Sequence, residues 1–198
     1  FMIAIRSDAP YKTLPQLIDF ARKNPGKINY FTTGQGSLLH VLMELLEKEA
    51  NVTMTQVPYK GGPQGYQDFL GGRIDVMVDY QSGFKPLEAN GKAIAIAVAS
   101  TTRMDGMPHV PTFAELGYKS VVLGPFALLA VPAETPKPMI DKLAAAAAYA
   151  HKDPEVVKFL VERGSVALNY GPDEMKTFLD KRRVMTKQLL DAVGIKPE

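Results

Sequence analysis

Residues 27–50, KINYFTTGQGSLLHVLMELLEKEA, decide how the rest of the chain is read. Ile28 to Phe31 is a short strand-like run, and Thr32-Thr33-Gly34-Gln35-Gly36 interrupts it. Leu38, Leu39, Val41, Leu42, Leu45 and Leu46 then recur at the spacing of one apolar helix face. The first amides of a helix have no intrahelical acceptor and sit at the positive end of its dipole. A glycine turn that lets a ligand come close to them therefore makes an anion site. Ser37 stands where an N-cap would, with the hydroxyls of Thr32 and Thr33 beside it. The same residues also suit a tight turn with no ligand, and this stretch alone leaves both readings open.

Upstream, Phe1 to Arg6 reads as a buried strand and Ser7-Asp8-Ala9-Pro10 as a turn. Thr13 with Gln16 is a capping box opening a helix that carries Leu17, Ile18, Phe20 and Ala21, as far as Asn24-Pro25-Gly26. Downstream the strand, turn and helix recur. Thr53 to Val57 predicts a strand ending at Pro58-Tyr59-Lys60-Gly61-Gly62-Pro63, before a short helix from Gln64 to Leu70. Ile74 to Val78 predicts another, ending at Asp79-Tyr80-Gln81-Ser82-Gly83, before a helical piece from Phe84 to Ala89. Ala93 to Ala99 is almost continuously apolar and predicts a strand buried on both faces. Strands alternating with helices predict a parallel or mostly parallel sheet. Three successive strands thus deliver Gly, Ser, Thr, Asp and Tyr turns to the edge where open α/β sheets bind small ligands. Asp79 reads either as a group that contacts a ligand or orders its site, or as a plain N-cap.

The last third has a different texture. Pro111 to Gly117 predicts a short capped helix, and Val121 to Val131 an extended crossover. Helices follow at Pro136 to His151, Pro154 to Arg163 and Pro172 to Val193, with start signals at Thr135, Asp153 and Gly171-Pro172-Asp173. A strand at Val166 to Leu168 would separate the last two. Lys181, Arg182, Arg183 and Lys187 read as a solvated helix face.

Composition excludes several classes of function. The chain has 198 residues, 46% hydrophobic and 22% charged, with 23 basic and 21 acidic residues for a net charge of +2. Charge this evenly spread gives no basic block for nucleic acid, so anion binding must be local. With no Cys there is no disulfide, thiol nucleophile or cysteine metal site. Met139 to Ala150, the longest apolar run, is too short to span a bilayer. The chain starts at Phe1 inside a strand-like run, which reads as a processed or truncated fragment. Ser37 and His40 lack the G-x-S-x-G elbow and an acidic partner needed for a hydrolase pair. His40, His109 and His151 lack metal-ligand spacing, and Gly61 to Gly65 lacks the Lys-Ser/Thr of a phosphate loop. The expectation is binding of a small anion without catalysis, metal or cofactor.

An ordered series of segments then carries a resemblance. It comprises KTLPQLIDFARKNPGKINYFTTGQGSLLHV (Lys12 to Val41), VPYKGG (Val57 to Gly62), DFLGGRIDVMVD (Asp68 to Asp79) and LEANGKAIAIAVAS (Leu87 to Ser100). It continues through HVPTFAELG (His109 to Gly117), ALLAVPAETPKPMIDKL (Ala127 to Leu143) and DPEVVKFL (Asp153 to Leu160). Over essentially its whole length the chain resembles the substrate-binding proteins of tripartite tricarboxylate transporters, the Bordetella uptake gene family of periplasmic solute receptors. The resemblance implies an α/β fold of periplasmic-binding-protein type II, in which two lobes close on a small organic carboxylate for delivery to a membrane permease. Residues 6–121 would form the second, complete lobe with a mostly parallel sheet. Residues 1–5 and 122–198 would supply crossover strands and C-terminal helices of a first lobe whose N-terminal part is absent. The resemblance places Thr32, Thr33, Gly34, Gly36, Ser37, His40, Tyr59, Lys60, Gly61 and Asp79 on the ligand side. Tyr80 and Gln81 replace the small residues usual after the aspartate, which bears on the identity of the ligand. No enzyme activity, cofactor, metal or nucleic acid is implied. A ligand-sensing effector domain of a transcription regulator shares the architecture and is the alternative. Apolar faces on the last helices, with part of a lobe absent, lead us to expect self-association.

Overall fold

The apolar opening of the chain needs cover on both faces and partners on both edges. In the computed structural model, which describes residues 1–162 and 168–195, it finds them in the middle of a five-stranded sheet. β1 (Met2–Arg6) pairs antiparallel with β4 (Val76–Asp79) on one side and with β5 (Ala93–Val98) on the other. β2 (Asn29–Thr32) runs parallel to both β3 (Thr55–Pro58) and β4, giving the order β3-β2-β4-β1-β5. The mostly parallel sheet is present, with β1 as its one reversed strand.

Helices cover the sheet where the apolar spacing required. α1 (Leu14–Lys23) buries Leu14, Leu17, Ile18 and Ala21, and the Thr13 hydroxyl accepts the Gln16 N–H at 3.4 Å. The Gln16 side chain returns to the Lys12 N–H at 2.7 Å, closing the capping box one residue early. α2 (Leu38–Ala50) buries Leu39, Val41, Leu42, Met43, Leu45 and Leu46, and ends on Asn51 in the left-handed region. α3 (Gly62–Leu70) and α4 (Gln81–Ala89) both start nearer to their preceding strands than the sequence suggested.

Two expected elements are absent. Pro111 to Gly117 is a turn, although Thr112 and Glu115 exchange the two hydrogen bonds of a capping box, at 2.7 and 3.1 Å. Thr112 is held extended by a bridge to Val98, and Gly117 leaves at φ +98°, so too few residues remain between them for a helix. Val121 to Val131 does not form a strand. Val121 and Leu123 are buried and Leu123 N–H donates to Ala99 O at 3.2 Å, whereas from Phe126 the segment is exposed. The strand expected at 166–168 lies outside the described residues, apart from Leu168, as does Arg163 at the end of the second late helix.

The chain divides into two compact units, Phe1–Pro125 with Leu189–Glu198, and Phe126–Gln188. The sheet unit therefore takes in residues 1–5, which the sequence reading gave to the other lobe, and its boundary falls after Pro125 rather than after residue 121. Burial explains both shifts: Met2, Ile3, Ala4 and Ile5 are fully buried in this sheet, and so are Val121 and, at 1% exposure, Leu123. Leu189, Leu190, Val193 and Ile195 complete the same core from the end of α7 (Pro172–Val193) and just beyond it.

The second unit contains α5 (Lys137–Ala150), α6 (Pro154–Glu162) and the earlier part of α7. No residue of α5 or α7 is buried. Phe178 meets Phe126 edge-on at 5.2 Å and Tyr170 at 5.7 Å. Lys181, Arg183 and Lys187 are exposed as expected, but Arg182 is half-buried with its guanidinium 5.5 Å above the Phe126 ring. No helix among the described residues is long and apolar enough to cross a membrane.

Candidate functional site

Because β3, β2 and β4 run parallel, their carboxyl ends lie side by side. Thr32 is in register with Pro58, Tyr30 is in register with Val76, and Tyr59 N–H donates to Thr32 O at 2.9 Å. The turns after these strands, around Thr32 to Ser37, Tyr59 to Gly61 and Asp79, therefore share one edge of the sheet.

The first turn is built on two glycines that no other residue replaces without strain, Gly34 at φ +127° and Gly36 at φ +74°. Buried Thr32 accepts the Gly34 N–H at 3.3 Å and the Gln56 side-chain N–H at 2.8 Å, and the Gln56 amide also reaches Gly34 O at 3.3 Å. Ser37 N–H donates to Gly34 O at 3.3 Å, and the Ser37 hydroxyl caps α2 by accepting the His40 N–H at 3.3 Å. Gly36 N–H donates to His40 Nδ1 at 3.1 Å, and the other ring nitrogen lies 3.1 Å from Glu44 Oε1. The amides of Gly34, Gly36, Ser37 and His40 are thus engaged within the turn. Those of Leu38 and Leu39, the first of α2, have no acceptor among the described residues. The Thr33 side chain is exposed.

The second turn offers its backbone more than its side chains. The Tyr59 ring stacks on Phe31 at 5.5 Å, and its hydroxyl donates to Asp68 at 2.8 Å. That bond, with help from Arg73, holds the Asp68 carboxyl below its ordinary value. Lys60 is exposed. Gly61 is the N-cap of α3, extended at φ 180° and without a side-chain cap.

Asp79 is not the N-cap of α4. That position belongs to Tyr80, whose N–H Asp79 Oδ1 accepts at 2.7 Å, while Asp79 Oδ2 accepts the Tyr66 hydroxyl at 2.8 Å. Burial first, then Asp79, raises the Tyr66 hydroxyl above its usual range. Asp75, at the other end of the strand, accepts the Asn29 N–H at 2.9 Å and serves the sheet. Gln81 is 2% exposed, its amide atoms have no partner among the described residues, and it lies against Gly106. Sequence reasoning missed Gln56 and Tyr66. The signal for Gln56 was a long polar side chain within a strand at the turn edge, and nothing in the sequence marked Tyr66. Ser37 and His40 are tied into the turn with no serine-histidine contact of a hydrolase, and no metal-binding cluster of His, Asp and Glu occurs among the described residues.

An open α/β sheet with a glycine turn feeding a helix start, flanked by two more turns at the same edge, is an architecture that binds small ligands at the carboxyl ends of its strands. Residues 1–195 match the family described as tripartite tricarboxylate transporter family receptor, and the chain belongs to that family. It is 30% identical over 177 residues to a UPF0065 protein in the tcbD-tcbE intergenic region of Pseudomonas sp. strain P51, covering 87% of this chain and 52% of that one. The solved periplasmic binding protein BugD superposes with a TM-score of 0.88 at 27% identity, over 100% of this chain and 67% of its own. R. palustris Rpa4515, solved with adipate, gives a TM-score of 0.91 at 25% identity, over 100% and 66%. The chain spans about half the length of the curated relatives it matches. The family is one of receptors and BugD is a periplasmic binding protein, and neither supports the regulator alternative.

Proposed function

We propose that the chain is part of a periplasmic receptor that binds a small organic carboxylate and delivers it to the membrane permease subunits of a tripartite tricarboxylate-type transporter. In this reading the sheet unit is one lobe, and the unit from Phe126 to Gln188 belongs to the other. The observation that carries it is the turn from Thr32 to Ser37. Two left-handed glycines bring the chain into α2 with the Leu38 and Leu39 amides open, at the edge shared with Tyr59 to Gly61 and Asp79. Thr32, Thr33, Gly34, Gly36, Ser37, His40, Tyr59, Lys60, Gly61 and Asp79 form or support the seat. Thr32, His40 and the Tyr59 side chain act from behind it, and Tyr80 and Gln81 help select the ligand. The adipate bound by Rpa4515 supports a carboxylate as the ligand class. Leu129, Met139, Tyr149 and Val184 are 71, 57, 80 and 60% exposed on the second unit, which supports self-association of the chain through that unit.

A thermal-shift screen of the chain against linear mono- and dicarboxylates, adipate among them, tests the reading. A ligand that binds only the folded state at a hundredfold excess over Kd adds about 2.7 kcal/mol, which raises Tm by several degrees in a protein of this size. Cross-peaks of Thr33, Leu38 and Leu39 should move with the same ligand. No shift with any carboxylate, or shifts confined to the second unit, would overturn it.

A further inference from the structure

We propose that His40 is a positioning residue: it holds the glycine turn in its binding geometry through Gly36 and does not touch the ligand. This rests on the reading of the turn as the ligand's seat. The Gly36 amide can only donate, so His40 Nδ1, 3.1 Å away, is the nitrogen without a proton. The neutral ring then carries its proton on Nε2, which donates to Glu44 Oε1 at 3.1 Å. Both neighbours fix the same tautomer, and His40 is buried at 6% exposure.

The anchorage has a purpose. A turn through two left-handed glycines is soft, and each glycine has its own tether: Thr32 and Gln56 at Gly34, His40 at Gly36. His40 holds the chain at two neighbouring points, by its main-chain amide on the Ser37 hydroxyl and by its ring on Gly36. Behind it, Glu44 and Glu47 of α2 stand near the buried Tyr30 side chain of β2, and Glu47 accepts the Met54 N–H just before β3. A second proton on His40 would set an Nδ1–H against the Gly36 N–H, so the imidazolium and this turn geometry exclude each other. The titratable groups around the ring are Glu44 on its own helix and, behind Glu44, Glu47 and Tyr30.

NMR of the 15N-labelled chain tests this without a ligand. The wild type should show the Nε2–H tautomer at His40 and a slowly exchanging Gly36 amide. His40→Asn places an amide oxygen near Nδ1 and should keep Gly36 protected, whereas His40→Gln reaches Glu44 instead and should speed Gly36 exchange about tenfold or more. Adipate affinity should follow, within about threefold of wild type in the Asn variant and about tenfold weaker in the Gln variant. The Nδ1–H tautomer in the wild type, or a Gly36 amide unaffected by His40→Gln, would overturn the proposal. Absence of binding by any carboxylate in the wild type counts against the proposed function alone, because the Gly36 readout still decides the role of His40.

Discussion

Gly83 offers a test of how Asp79 is held. A Cβ added there would come 1.9 Å from the Tyr66 hydroxyl oxygen, 3.1 Å from the ring carbon that bears it and 3.4 Å from Asp79 Oδ2. Gly83→Ala must therefore push the Tyr66 hydroxyl off Asp79. Losing a hydrogen bond to a carboxylate costs about 1.5 to 3 kcal/mol, and replacing a helical glycine by alanine returns up to about 1 kcal/mol. The single variant should lose about 0.5 to 3 kcal/mol. Tyr66→Phe loses the same bond but removes the obstructing oxygen, leaving a ring carbon that need yield only slightly. In that background Gly83→Ala should be neutral or stabilising by up to about 1 kcal/mol. Urea unfolding of the four proteins closes the cycle, with an expected coupling of about 1 to 3 kcal/mol in favour of the double variant. Additivity within about 0.5 kcal/mol would refute the Tyr66–Asp79 contact as the reason for a glycine at this position.

Other consequences are as direct. Burial raises the Glu47 carboxyl from 4.5 to about 7, so the native chain holds a proton that the unfolded chain releases first, and stability should fall as pH rises from about 4.5 to 7. Glu47→Gln should flatten that dependence, worth about 1 to 2 kcal/mol after solvent screening, and an unchanged stability–pH profile would count against it. A Cβ at Gly34 meets no atom within 4 Å, but Gly34→Val must adopt φ +127°, a strain of about 1 to 3 kcal/mol. Its circular dichroism should be native while adipate titration shows a large loss of affinity, and equal affinity would remove the glycine turn from binding. Light scattering at micromolar concentration should give a mass above that of one chain, since large apolar side chains each gain roughly 1.5 to 3 kcal/mol on burial. A clean monomer would exclude self-association.

How much of this was legible in the sequence depends on the range of the interaction. Local signals read true: Thr13, Ser37 and the apolar spacing of α1 and α2 act within one or two turns of chain, and the structure keeps them. The reversed direction of β1 was not legible, because apolar character reports burial and says nothing about which strands lie alongside. Pro111 to Gly117 misled for a related reason, since its capping signal is present but a bridge to Val98 leaves no room for a helix. At the site, Gly34 and Gly36 announced themselves through turn chemistry. Their tethers did not: Gln56 lies on the next strand, and Tyr66 meets Asp79 only after α3 has folded back.

The direction of β1 also explains how the helix starts are finished. β1 ends at the edge opposite the ends of β2, β3 and β4, so α1 begins away from the proposed seat. There the Thr13 hydroxyl accepts the Gln16 amide, and the Gln16 side chain accepts that of Lys12 just ahead of the helix. At the seat the finish is different. Gly61 and Tyr80, the N-caps of α3 and α4, make no side-chain cap, and α2, though capped by Ser37, keeps the Leu38 and Leu39 amides open. Orphan amides at a helix start are satisfied by side chains, water or a ligand, and an anion does so with the dipole in its favour. A sheet that needed only stability would gain from Ser, Thr or Asp at these caps, by roughly a few tenths of a kcal/mol at Gly61 and about 1 kcal/mol at Tyr80. Capping residues are instead present where α1 turns away and absent where α3 and α4 begin, the distribution that a carboxylate bound at this edge would favour.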